Sequence, residues 1–366
     1  MTSVETVPGS AASSRRRFGP RLAHAGDGLL ITLPAAFLVV FSFHAGGYFP
    51  AITALGVLVL LGALALRAVL GGRPFAGISP LYVVVATCLG LFAIWTLVSS
   101  AWSDAPARAL IEYDRALLYF LGFVVIGALG RTTLRLRWMM RSIAAGIFGV
   151  CTCALITRLL PALWPVDPEV AVPRLNYPLT YWNSLGLLAA LGVVLCFALT
   201  CDGRESRAGR VLSAAALPVL ALTLLLTFSR GGMAVAIVGL VVFVVVGRPR
   251  ALITGLLAVA PAVGVALVAG YRADLLSSHF PTSAAAAAQG KHLALVLVGC
   301  VAVAVLGRAA LLKLDAWPRS GALPEILRRP QVRWGAAALA LIAGVAVAGA
   351  VSAVRDHRAV RTFCQP

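Results

Sequence analysis

Acidic side chains are scarce in this chain: 13 Asp and Glu stand against 31 Lys and Arg over 366 residues, and charged residues of all kinds make up only 12%. A soluble domain carries about twice that share of charge, so a water-facing globule is excluded. Short strands of alternating apolar and polar residues are missing, which removes a β-barrel. No Gly-rich phosphate loop, dinucleotide fingerprint, zinc-ligand spacing or internal repeat occurs. Seven cysteines are present, but Cys88, Cys151, Cys153, Cys196 and Cys300 lie inside apolar runs and read as small buried hydrophobes. Cys201 and Cys364 are expected in loops, so no disulfide or metal framework is indicated. The basic residues are spread between apolar runs instead of forming one patch. The net charge of +18 is therefore read as membrane topology, with no nucleic-acid partner.

What fills the chain is apolar: 60% of residues are hydrophobic and the mean hydropathy is +0.94. Backbone N–H and C=O groups have no water to bond in hydrocarbon, so each span must be a helix. The fold class is all-α, a polytopic integral membrane protein with the lipid bilayer as its partner. Apolar runs predict eleven spans at roughly 28–44, 49–66, 79–100, 115–130, 142–160, 181–200, 211–228, 231–247, 251–270, 292–311 and 335–354. Residues 1–26 are a polar tail in which Ser14-Arg-Arg-Arg-Phe18 looks like a twin-arginine export signal, but no small-residue cleavage site comes after it. Residues 27–356 form the transmembrane domain, and 357–366 a short second tail. Of the 31 Lys and Arg, 21 fall in the N-terminal tail and in every second connection after it. The positive-inside rule then places the N-terminus in the cytoplasm and the last residues outside.

Two polar interruptions organise the greasy chain. From Val211 to Gly247 the one charged side chain is Arg230. A single helix over that run would be about 55 Å long, too long for a core of about 30 Å. The run is predicted as a helical hairpin, with Arg230 at its tip and Arg210 and Arg248 together at the far face. The second interruption is Arg174-Leu-Asn-Tyr-Pro-Leu-Thr-Tyr-Trp-Asn183, just before another span. The spans after both interruptions start on the outer face, so both present unpaired helix N–H groups there. Ser229 is placed to cap the second helix, Gly231 and Gly232 let a ligand approach its backbone, and Pro178 pre-sets entry to the first. With Arg174 and Arg230 added, the outer face acquires an anion site suited to phosphate or pyrophosphate.

Each residue also has a plainer reading. Arginines at span ends snorkel to headgroups. Asn183 either binds a sugar hydroxyl or pairs with a neighbouring helix. Tyr177, Tyr181 and Trp182 form either an interfacial aromatic belt or a sugar-stacking platform. Other outer loops run Ala101–Arg115, Arg158–Thr180 and Tyr271–Lys291, the last holding Asp274, His279 and an alanine run. Glu112, Asp114 and Arg115 in the first of these neutralise one another or supply a base.

Thr227-Phe-Ser-Arg-Gly-Gly232, preceded by Pro-Leu-Thr-Tyr-Trp-Asn-Ser-Leu-Gly186 opening an earlier span, resembles the O-antigen ligase and O-antigen polymerase family of bacterial polysaccharide assembly. Trp102-Ser-Asp104 with Asp114-Arg115 and Tyr119 is similar to that family's N-terminal half, so the resemblance covers most of residues 80–250. It implies an enzyme of the bacterial cytoplasmic (inner) membrane that moves a saccharide from an undecaprenyl pyrophosphate carrier to an acceptor hydroxyl on the extracytoplasmic face. It implies no nucleotide cofactor and no obligatory metal. Arg230 would take the role of the family's phosphate-binding arginine, with Arg174 beside it. Ser229, Gly231, Asn183, Tyr181 and Trp182 would bind substrate. The family continues into a large outer loop bearing a functional His. His357 lacks the family's surrounding pattern, so a member shortened at its C-terminus is expected, with an outer carboxylate as an alternative base. Two other classes share these features: a transporter of lipid-linked saccharide, and a catalytically inactive homologue.

The charge asymmetry makes a direct prediction. In a background without native cysteines, Gly203→Cys in intact cells stays unlabelled by an impermeant maleimide and reacts once the membrane is opened; labelling from outside would invert the topology.

Overall fold

Runs of about 20 apolar residues become helices because hydrocarbon satisfies a backbone amide only through its own helix. The computed structural model describes residues 20–71, 78–129, 132–166 and 173–315, and among these no strand occurs. The helices are α1 (Pro20–Phe43), α2 (Pro50–Gly71), α3 (Pro80–Ser99), α4 (Pro106–Leu129), α5 (Thr133–Leu159), α6 (Trp182–Cys201), α7 (Arg207–Thr227), α8 (Arg230–Val242), α9 (Leu252–Arg272) and α10 (Ala284–Asp315). They coincide one for one with the first ten predicted spans; the eleventh, 335–354, lies outside the described residues, as do both ends of the chain. Among the described residues eight helices are long and apolar enough to cross a membrane, α8 reaching that length with the π-helical turn Phe243–Gly247. The architecture is that of a multi-pass membrane protein.

Helix starts obey local chemistry. Ser79 Oγ accepts the Tyr82 N–H at 3.2 Å, Thr132 Oγ1 the Arg135 N–H at 3.2 Å and Ser206 Oγ the Gly209 N–H at 3.0 Å, each satisfying one orphan donor of a first turn. Several helices outrun the apolar stretch that predicts them. Pro20 opens α1, so residues 20–26, expected in the tail, are helical. α4 starts at Pro106, which moves Glu112, Asp114 and Arg115 from a loop onto a helix, where Arg115 Nη1 meets Glu112 Oε1 at 2.7 Å one turn away. The alanine run and Lys291 belong to α10. Cys201 is the last residue of α6 and fully buried, not a loop residue.

The core gathers around α7, whose residues are mostly buried against α5, α6, α9 and α10. α1, α2 and α4 form a smaller apolar cluster around Leu30, Leu60 and Leu121, and α1 joins it to the main core through Ala35 and Val39 against Gly146 of α5. The predicted hairpin breaks where expected, since Phe228 is left-handed after α7 and Ser229 caps α8. Its partner is different: α8 lies along α6, not back along α7. The reason is steric. A Cβ at Gly232 would come within 2.9 Å of the Gly186 backbone, and one at Gly239 within 2.7 Å of Val194, so α6 offers α8 a close parallel groove.

At the end opposite Arg230, charge is buried. Arg308, inside the predicted tenth span 292–311 but counted with the charges of the connection after it, lies within α10 with no exposed surface. Its Nη2 donates to Asp315 at 2.9 Å and to the Thr200 carbonyl at 2.7 Å. Arg210 and the Thr254 hydroxyl donate to the same Asp315 carboxylate, tying α6, α7, α9 and α10 together. Beside this network Arg141 of α5 makes two hydrogen bonds to Glu205, at 2.6 and 3.1 Å. Burial pushes the Glu205 carboxyl up, but the hydrogen bonds from Arg141 and Ser206 outweigh it and hold the group below the usual carboxylate range.

Removing one partner of a buried ion network leaves charge uncompensated. Asp315→Ala should lower stability in detergent by about 3–5 kcal/mol, and replacing Arg210, Arg308 and Asp315 together by Met, Met and Leu should recover most of it. An unchanged unfolding temperature for Asp315→Ala would show that the network does not hold the helix ends.

Candidate functional site

Two helices can start side by side only if their backbones fit there. At α6 and α8 they do: a Cβ at Gly186 would lie 2.6 Å from Ser229 Cβ and 2.9 Å from Thr227 Oγ1. Both N-termini therefore open at one end of the bundle, called here the Arg230 end, and their positive dipole ends reinforce each other. At α8, Ser229 is buried and its Oγ accepts the Gly232 N–H at 3.1 Å, the cap the sequence leads one to expect. At α6 the N-cap residue Tyr181 supplies no side-chain cap. Arg230 and Gly231 are the exposed first residues of α8. Gly231 has open space where a Cβ would go, whereas Gly232 is pressed on the Gly186 backbone. So Gly232 serves helix packing instead of ligand approach, and Gly231 alone keeps the predicted open backbone.

The segment 173–181 crosses the end of α7. The Leu175 N–H donates to the Leu226 carbonyl at 3.0 Å, with Leu175 almost fully buried. This satisfies one of the carbonyls that α7 leaves open at its C-terminus and brings Arg174 to the end where α8 begins. The Arg174 guanidinium lies over the Trp182 ring, 5.2 Å from its centroid. Stacking uses the face of the guanidinium and leaves its edge N–H groups for an anion. Pro178 is buried after a cis Tyr177–Pro178 bond, and Thr180 is left-handed just before α6. Asn183 Nδ2 donates to the Tyr181 hydroxyl at 2.8 Å, and both side chains are exposed. The partner is thus a residue two positions away and not a neighbouring helix. Tyr177 packs with Phe43 and Trp164 in an aromatic trio whose ring centroids are 6.2 to 6.4 Å apart.

Sequence reasoning misses the residue that anchors this loop. Arg158, expected to open a loop, sits in the last turn of α5 and is 4% exposed. Its Nη1 donates to the Leu276 carbonyl at 2.7 Å and reaches the Pro173 carbonyl at 3.4 Å. It thus fastens the residue before Arg174 to the turn after α9. The signal was present: an arginine three residues before Pro161 falls in the last turn that the proline allows, where the helix dipole favours a cation.

The elements together make a surface of positive charge: two adjacent helix N-termini, two arginines, and no Asp or Glu in either 173–186 or 227–233. Comparison with protein-family models, with curated proteins and with solved structures finds no match for this chain.

Because the Gly186 contact has no room for a side chain, Gly186→Val should destabilise the protein by about 1–3 kcal/mol. Gly231→Ala, facing open space, should change stability by less than about 0.5 kcal/mol. Equal unfolding temperatures for the two variants would mean the helix starts are not in close contact.

Proposed function

We propose that this chain is a glycan transferase of the O-antigen ligase kind, using a polyprenyl pyrophosphate-linked saccharide and an acceptor hydroxyl at the extracytoplasmic face of a bacterial cytoplasmic membrane. The observation that carries the reading is the pairing of two helix N-termini with Arg174 and Arg230 at one end of a membrane bundle. With the Arg230 end outside and the N-terminus inside, that surface stands at headgroup depth, where a lipid-linked pyrophosphate resides. In the reaction the acceptor oxygen attacks the anomeric carbon, and the bond from that carbon to the pyrophosphate oxygen breaks with its electron pair. The acceptor proton passes to a base, proposed among the carboxylates of the same end. Helix N–H groups and guanidinium forks stabilise the departing polyanion more than the bound donor, which is what lowers the barrier.

The opposite end of the bundle supports transfer over transport. A carrier must open alternately to both faces, and the Arg210–Arg308–Asp315 network cross-links four helices at the end that would have to part. For Ser229, the reading assigns capping and orientation of α8; for Tyr181, Trp182 and Asn183, contact with the saccharide beside Arg174.

A planar fork meets two phosphate oxygens where an ammonium offers a point charge, so Arg230→Lys is not conservative here. Transfer from a lipid-linked donor by purified Arg230→Ala or Arg230→Lys should fall about a hundredfold or more, on the scale of a lost electrostatic stabiliser. Unfolding temperature should hardly change. Near-normal transfer by Arg230→Ala would mean the arginine only snorkels, and no transfer by the wild type would favour an inactive homologue.

A further inference from the structure

α9 and α10 leave between them an apolar groove of about 740 Å³ that no part of the anion surface uses. Along α9 it runs from Pro261 to Arg272, about 16 Å at 1.5 Å per residue and close to half of a hydrocarbon core of about 30 Å. The groove is therefore one leaflet deep, and it ends at the Arg230 end, where Gly290 of α10 packs on the last carbonyl of α5. Its walls are unfilled: Val265 and Val268 are 55% and 54% exposed, and a Cβ at Gly264 would meet nothing within 4 Å. Across from them stand Leu293 and Val296 of α10.

The rim is cationic. Arg272 and His292 line the mouth, and both are exposed. Lys291 adjoins His292 and is exposed as well. No ion pair joins Arg272 to a carboxylate among the described residues. Gln289 shapes the mouth by accepting the Leu275 N–H at 3.0 Å. A chain-length apolar slot with a guanidinium at headgroup depth complements one kind of molecule, an amphiphile with an anionic head and a chain that fills one leaflet.

We propose that the α9–α10 groove is a binding site for an anionic phospholipid of the leaflet at the Arg230 end, its chain lying against Gly264, Val265 and Val296 and its phosphate on Arg272. The site is separate from the α6–α8 surface, since α7 packs between α6 and the α9–α10 pair. Arginine's fork binds two phosphate oxygens. A phosphate that shares its headgroup with a quaternary ammonium brings no net charge to this rim, so a glycerol headgroup is preferred over choline. A bilayer touches every outward helix face, and the lone snorkelling arginine is the competing explanation. What distinguishes a site is that head selectivity and chain retention both depend on the same groove.

The test is native mass spectrometry of the full-length protein released from mixed micelles holding equal phosphatidylglycerol and phosphatidylcholine of identical chains. Wild type should retain the glycerol lipid about tenfold over the choline lipid, the scale of one uncompensated headgroup charge beside the rim cations. Arg272→Gln should bring the ratio near one while chains are still retained. Gly264→Leu, which fills the open slot, should abolish retention of both lipids. Arg248→Gln, an exposed cation at the other end, should leave the ratio unchanged, and His292→Ala gives a second rim variant should Arg272→Gln fail to fold. Equal retention by wild type, a ratio unmoved by either rim variant, or full retention by Gly264→Leu would each overturn the proposal. So would a cysteine at Val265 that resists a membrane-permeant maleimide in lipid-free detergent, because protein would then cover the groove.

Discussion

Gly186 against Gly232 is the contact on which the Arg230 end depends. With hydrogen alone as side chain at both positions, α6 and α8 start within backbone distance of each other. In a bilayer the hydrophobic effect between helices is weak, because lipid tails are as apolar as leucine, and close backbone approach through small residues takes over. That approach decides that α8 lies along α6, that two dipoles add at one place, and that Ser229 is buried as a cap. The segment 173–181 completes the arrangement by pairing Leu175 with the open end of α7.

The two ends of the bundle use arginine differently. At the far end Arg210 and Arg308 are buried and spend their donors on Asp315 and Thr200, binding helices to one another. At the near end Arg174 and Arg230 are exposed, and no acidic residue neighbours them in sequence. A guanidinium already paired inside the protein has little left for a ligand, whereas Arg174, stacked on the Trp182 indole, keeps its edge. One end is thus a buried fastening, and the other carries its arginines at the surface. Arg158 stands between the roles, buried like the first pair but employed in holding the loop of the second.

Ten predicted spans reappear as α1 to α10 because span length is set by the bilayer and visible in composition. Where boundaries shift, the cause is the same. Helical hydrogen bonding continues beyond the hydrocarbon, so α10 runs 32 residues and takes in Lys291 and Asp315, while α4 takes in Glu112 to Arg115. A count of about 20 apolar residues per span cannot see those extensions, nor that an arginine near a span end is interior.

Composition and pattern alone determined that this chain is a bundle of apolar helices, that a break falls between Thr227 and Arg230, and that Ser229 caps the helix beginning at Arg230. Those properties are local: hydropathy, a run too long for one crossing, and a hydroxyl three residues before an amide. Only the tertiary structure decided that α8 pairs with α6, that Gly232 is consumed by that pairing while Gly231 stays open, and that Asn183 turns to Tyr181. It likewise decided that Arg158 and Arg308 are interior, and that α9 and α10 part to leave a slot ending at Arg272. Apart from the Asn183 contact, each of these depends on which surfaces meet across tens or hundreds of residues. Among helices of nearly uniform hydrophobicity that choice rests on side-chain size at single positions, which no local pattern encodes.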